Sequence, residues 1–297
     1  MTIENCRRAD ELKLRQICKL LCTTGIRSPL TMERVKTWLN QFLTEQEKIL
    51  GLLILRHLVF RTNDQLVSSL RQALRRAGKY FLPSDLNPEV ANWKDVIEGR
   101  VDSIEMIYGP PTHDYTPPGK SGELIVRVLT SKLGIKKGQL QYPVQITNLT
   151  PKERYLLVDD GVYTGDQLSD FISQRGGFLA DGDQSGIVVA LAHETAINKF
   201  SEKFPKLPIF YGEMLTKSDG FSALSRVWVD SGVWPYTDIS PEDLYMKIYE
   251  RHEPFEKNSP LGYGNLGLLV AYEHGIPDDS VELLWGVSAT WTPLIGR

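Results

Sequence analysis

Asp159 and Asp160 stand side by side at the end of the apolar run 155-YLLV-158, and Gly161, Thr164 and Gly165 follow before a helical pattern begins at Leu168. Adjacent carboxylates repel one another and need compensation. Hydroxyl donors, a hydrated Mg²⁺, or both would supply it. The turn through Tyr163, Thr164, Gly165, Asp166 and Gln167 bends into a helix start. There, unpaired N–H groups and the helix dipole favour an anion such as phosphate. Gly165 lets the backbone come close to that anion, and Thr164 can add a hydroxyl. A diol held by acids, with a phosphate at a helix start nearby, describes a ribose 5-phosphate.

Such a site needs a buried strand ending at the acids and a helix following the turn. The pattern from residue 82 onward supplies both. Strands are expected over 103-SIEMIY-108, 142-YPVQIT-147, 155-YLLV-158, 186-GIVVALA-192 and 207-LPIFYG-212, and helices over residues 123–133, 168–174, 195–204 and 241–252. The run 186–192 is continuously apolar, as in a strand buried on both faces. Alternating strand and helix predicts an α/β fold with an open, mostly parallel sheet, whose ligands sit beyond the carboxyl ends of the strands. The segment 261–286 carries several glycines in and around strand-like pieces.

Residues 1–81 read differently. Helices are expected over 9–24, 31–42, 44 to about 60 and 64–76, the third opened by a Thr44–Glu47 capping box. Residues 1–80 hold 15 Lys+Arg against 7 Asp+Glu, a net of +8, and the remainder of the 297-residue chain carries −11. A small, basic, all-α module of helix-turn-helix or winged-helix type over 1–81 fits this pattern, followed by an α/β domain over 82–297. Arg61, Arg71, Arg75 and Arg76 would contact nucleic acid phosphates. A helical partner-binding or dimerisation module fits equally. No strand pair before residue 100 reads as a wing, unless 79-KYFLP-83 contributes to one. The apolar window 50–60 is too short to span a bilayer and carries Arg56 and His57. Cys6, Cys18 and Cys22 lack metal-ligand spacing, and Cys18 and Cys22, one helical turn apart among apolar neighbours, read as core residues of a cytoplasmic protein. His193 and Glu194 read as turn residues, and His57 as a satisfied boundary histidine.

The segment 156-LLVDDGVYTGDQ-167 resembles the phosphoribosyl-pyrophosphate (PRPP) signature of the type I phosphoribosyltransferases, in which apolar residues precede two acids, three variable residues and Thr-Gly. The resemblance implies a sheet of phosphoribosyltransferase type. It implies that Asp159 and Asp160 contact the ribose hydroxyls and Mg²⁺, and that Tyr163, Thr164, Gly165, Asp166 and Gln167 cradle the 5′-phosphate. It further implies an earlier pyrophosphate loop. By position this is 117-PPGKSG-122, with Gly119, Lys120 and Ser121 at the pyrophosphate. That loop also echoes the end of a P-loop, but Asp114 stands where the first glycine should be. Three features depart from the signature: Gln167 replaces a Ser or Thr, Asp166 puts a carboxylate in a phosphate loop, and Tyr163 stands where some members carry a catalytic acid. Together with 260-PLGYGNLG-267 and a terminal Trp-x-Pro-Leu segment, the chain also resembles phosphoribosyltransferase-like effectors of bacterial anti-phage systems, including retron clusters. This implies a toxin acting on PRPP, nucleotides or nucleic acid. It also implies restraint by a partner, such as a reverse transcriptase with its RNA–DNA product, through residues 1–81. The layout is similar too to bacterial purine repressors, which implies the alternative of a PRPP-sensing DNA-binding regulator.

Overall fold

The computed structural model describes residues 3–83, 92–112, 121–252, 255 and 259–296, with side chains from Glu11 onward. The chain opens with helices α1 (Ile3–Thr23), α2 (Met32–Leu39) and α3 (Glu45–His57). Thr31 caps α2 by accepting the Arg34 N–H, and Thr44 caps α3 by accepting the Glu47 N–H at 3.2 Å. Glu47 reaches back to the Leu43 N–H at 2.7 Å. The third helix stops short of Phe60, since β1 (Val59–Arg61) follows it. Next come α4 (Asn63–Tyr80), α5 (Trp93–Ile97), β2 (Glu105–Gly109), α6 (Ser121–Lys132), β3 (Glu153–Val162), α7 (Asp166–Arg175), β4 (Ser185–His193), α8 (Glu194–Lys203) and β5 (Ile209–Leu215). The chain closes with α9 (Phe221–Asp230), α10 (Pro241–Arg251) and β6 (Val270–Tyr272). No helix among the described residues is long and apolar enough to cross a membrane.

Two compact units result. One is Asp64–Thr216; the other joins Met1–Asn63 to Lys217–Arg297. The boundary read from the sequence at 81–82 therefore falls inside the first of these, after α4.

In the Asp64–Thr216 unit, β2, β3, β4 and β5 form one parallel sheet in that order. All nine residues of β4 are buried, as its unbroken apolar run requires. Leu157, Ile187 and Val189 pack with Leu168, Phe171 and Ile172 of α7 and with Ala196 and Phe200 of α8. Leu140 makes a parallel bridge to Tyr108, on the side of β2 away from β3, and the Gln141 N–H donates to the Tyr108 carbonyl at 3.0 Å. The chain thus leaves β2 through α6 in one direction and crosses back to enter β3 on the other side. With the Leu140 bridge counted as the outer neighbour of β2, chain order changes direction between β2 and β3, which is where open α/β sheets carry their ligand crevice. The strand expected at 142–147 does not form. Pro143 lacks an N–H for a ladder, and residues 143–145 make one short helical turn instead.

α4 docks on β5. Ser69 donates its hydroxyl to Glu213, and the Arg76 guanidinium donates to the Tyr211 carbonyl at 2.7 Å while lying 4.8 Å above the Tyr211 ring.

The other unit is mostly helical, with β1 and β6 paired in parallel. Among the described residues of 1–81 this is the sole strand, so no winged hairpin forms there; Lys79 and Tyr80 end α4. Trp38 and Phe42 pack edge-on against Trp291, and the Leu283 carbonyl accepts both the Trp38 and Trp291 indole N–H groups at 3.0 Å. Trp285 is likewise buried, donating to the Ser280 carbonyl. Within residues 261–286 only β6 is a strand; two short 3-10 helices (Tyr263–Asn265 and Glu282–Leu284), isolated bridges and loops make up the rest of the glycine-rich stretch. Cys18 lies in this core, where burial pushes its thiol up to about 11, and Cys22 packs against it. Burial raises the Cys22 thiol as well. His57 is half-buried and donates its Nδ1–H to the Leu53 carbonyl.

Candidate active site

Parallel pairing carries β3 to its carboxyl end at Asp159 to Val162, beside the end of β4. The chain arriving from β2 begins α6 at Ser121, whose hydroxyl donates to Asp159 Oδ1 at 2.7 Å. The same oxygen accepts the Asp160 backbone N–H at 2.9 Å. The switch point between β2 and β3 thus joins an acid and a hydroxyl 38 residues apart. Burial, and then the neighbouring Asp160 charge, hold the Asp159 carboxyl well above the usual carboxylate range, despite the opposing Ser121 and backbone hydrogen bonds. The Ser121 hydroxyl and the Asp160 N–H supply part of the compensation the pair needs.

Beyond the acids the chain folds back on itself. Tyr163 is buried, and its ring returns over Gly161: a Cβ at residue 161 would lie 2.6 Å from the phenolic oxygen. A phenol is therefore lodged against the backbone beside the acid pair. Thr164 Oγ1 accepts the Asp166 N–H at 3.5 Å, the long end of the hydrogen-bonding range. Gly165 has φ +75°, in the left-handed region, and precedes α7 directly. Its missing side chain faces α8, where a Cβ would sit 3.1 Å from Phe200 and 3.2 Å from Ala196. Besides the close approach of an anion expected from the sequence, packing against α8 places a second demand on this glycine.

Asp166, the awkward carboxylate of the loop, is the first residue of α7 and pairs with Lys199 of α8. One turn on, Lys203 donates to the Ser169 hydroxyl at 2.8 Å. The two lysines tie α8 to α7, and the first neutralises Asp166 where an anion would otherwise meet it. Gln167 is exposed on the first turn. His193 ends β4 fully buried and caps α8, its Nδ1 accepting the Thr195 N–H at 3.2 Å. The neutral ring then carries its proton on Nε2.

Asp159 and Asp160 therefore lie at the end of β3, Tyr163, Thr164 and Gly165 in the turn that leaves it, Asp166 at the first position of α7, and Ser121 at the start of α6 beside Asp159. Gly119 and Lys120 lie outside the described residues. Arg61 lies in β1 of the helical unit, whereas Arg71, Arg75 and Arg76 lie in α4 of the sheet unit. The exposed Arg76 guanidinium donates to the Tyr211 carbonyl and lies over the Tyr211 ring. Lys199 went unread in the sequence, because nothing local to α8 marks a lysine that reaches across to α7.

Among the described residues, no three His, Cys, Asp or Glu side chains converge as a metal cluster. Two carboxylates beside a hydroxyl form an all-oxygen donor set that suits a hard cation only if substrate oxygens and water complete its shell.

An open parallel sheet with an acid pair at its switch point, running through a Gly turn into a helix, defines a phosphoribosyltransferase-like domain. A family model described as PRTase-CE matches residues 35–297, and the chain belongs to that family. The match spans both compact units. Comparison with curated proteins gives no match.

Proposed function

We propose that the crevice between β2 and β3 binds PRPP or a related ribose 5-phosphate ligand, and that the protein is an effector of phosphoribosyltransferase type acting on PRPP or nucleotides. The observation that carries this reading is the Ser121–Asp159 contact at the switch point, one turn of chain away from a helix start whose carboxylate Lys199 has already neutralised. Asp159 and Asp160 would accept the ribose hydroxyls. The N–H groups opening α7 would receive the 5′-phosphate. Asp159 and Asp160 would also hold Mg²⁺, which when bound offsets negative charge on a departing pyrophosphate. Lys120 would meet that pyrophosphate.

Titration calorimetry with PRPP in the presence of Mg²⁺ tests the site. Binding to the wild-type chain is expected, with loss of at least about tenfold in Asp159→Asn/Asp160→Asn, since each lost hydrogen bond at a charged group costs about 1.5–3 kcal/mol. Unchanged affinity in a folded double variant refutes the assignment. Deployment as an anti-phage toxin restrained by a partner complex belongs to the same reading and rests on the resemblance of the signature, the 260–267 segment and the terminal Trp-x-Pro-Leu. Growth arrest on expression, relieved by the double variant, is the expected result. PRPP bound but recovered intact after incubation with nucleotide pools would instead favour the sensing regulator.

A further inference from the structure

A cavity of about 260 Å³ opens in the sheet unit between α4, α5 and the C-terminal end of α6. Its floor is apolar, built from Leu74, Ile97 and Leu133, all buried. Trp93, half-buried, stands in the wall at the first position of α5. Three cations from three helices surround it: Arg71, Lys94 and Lys132. Among the described residues, the one carboxylate in the lining is Glu98, which is already held by Arg100 and by Lys94 at 3.6 Å. Among the described residues, the Arg71 and Lys132 side chains form no ion pair or hydrogen bond.

An apolar floor, a half-exposed indole and a surplus of cations suit a ligand that is both flat and anionic. Bases stack on aromatic rings regardless of sequence, and phosphates are neutralised by Lys and Arg. The volume lies just below the range of about 300–1,000 Å³ typical of pockets for larger ligands, so it accommodates about one such unit. On α4, Arg75 and Lys79 follow Arg71 at four-residue intervals, all three exposed. They extend positive charge along one helix face from the cavity, at a rise of about 6 Å per step.

We propose that this cavity is a nucleotide-binding subsite, stacking a base on Trp93 and holding its phosphate between Arg71 and Lys132. It is separate from the acid-pair crevice and does not depend on the reading given for that crevice. The nucleotide could be free or part of a single strand; the chemistry is shared.

Fluorescence polarisation with the full chain and a 5′-labelled oligothymidylate tests it, with unlabelled thymidine monophosphate as competitor. Binding should be salt-dependent, weaken roughly tenfold in Trp93→Leu and survive in Trp93→Phe. Arg71→Glu/Lys132→Glu, both exposed, should abolish it. Asp159→Asn/Asp160→Asn should leave it unchanged, which separates failure here from failure of the crevice reading. Full competition by the monophosphate at equal affinity assigns a free nucleotide; much tighter binding of the oligomer assigns a strand. The proposal is overturned if the wild-type chain binds neither probe at low salt. It is equally overturned if the charge reversal, with its circular dichroism unchanged, binds as the wild type does.

Discussion

At the scale of single residues, the turn leaving β3 is governed by Gly165 and by the Asp166–Lys199 pair. At Gly165 a left-handed φ of +75° coincides with contact distances near 3.1 Å to α8. Gly165→Ala should therefore cost about 1–3 kcal/mol, seen as a lower urea midpoint, and should weaken ribose-phosphate binding by disturbing the start of α7. An unchanged midpoint would mean that α8 yields freely there. Lys199 and Asp166 make a finer prediction. Removing the cation exposes a carboxylate to any phosphate at the helix start. Lys199→Ala should thus reduce PRPP affinity several-fold, an effect on the order of 0.3–1 kcal/mol, and Asp166→Asn in the same chain should restore most of it. Failure of that rescue would mean that Lys199 acts otherwise than through Asp166.

At the scale of elements, what the sequence disclosed depended on how local the signal was. The strand leading to Asp159-Asp160 and the fully buried β4 announce themselves by continuous apolar runs, although β3 runs on through the acids to Val162. The Thr44–Glu47 cap is likewise local and stands where the pattern put it. The β1–β6 pair was illegible, being three residues on each side with partners such as Val59 and Val270 far apart in sequence. Helix α9 was hidden because Val227 and Val229 are exposed and blur the spacing of its buried Phe221 and Trp228. The reversal of strand order rests on a single bridge at Leu140, which no periodicity encodes. Between elements the testable contact is Glu47 of α3 with Arg251 of α10, a two-pronged pair at 2.7 and 2.8 Å. Burial pushes the Glu47 carboxyl up, but hydrogen bonds from Arg251 and from the Leu43 N–H outweigh it and leave the carboxyl below its ordinary value of 4.5. A depressed folded value means that the stabilisation is fully present above pH 4.5 and is lost as pH falls through the lower, folded value. Glu47→Gln should cost about 1.5–3 kcal/mol at pH 7, and the deficit should shrink in denaturation curves taken below pH 4.5. A deficit independent of pH would locate the cost in packing rather than in the charge.

At the scale of the whole molecule, the charge asymmetry that suggested a basic N-terminal module does not follow the compact units. Of the net +8 in residues 1–80, +5 falls in 1–63 and +3 in 64–80, and the second portion belongs to the sheet unit. The first sixty-three residues share one core with the last eighty-one. Trp38 and Phe42 meet Trp291, the Trp38 indole donates to Leu283, β1 pairs with β6, and Glu47 pairs with Arg251. A fragment of residues 1–81 therefore loses the partners of its largest buried side chains and leaves the Trp38 N–H without its acceptor. The sheet unit, by contrast, is continuous in sequence and closes its own core around β4. Expressed separately, residues 64–216 should melt cooperatively, whereas residues 1–81 should show helical circular dichroism without a cooperative transition until residues 217–297 are supplied. A sharp, reversible melt of 1–81 alone would restore the independent module that the charge pattern first suggested, and would require the shared aromatic core to be dispensable.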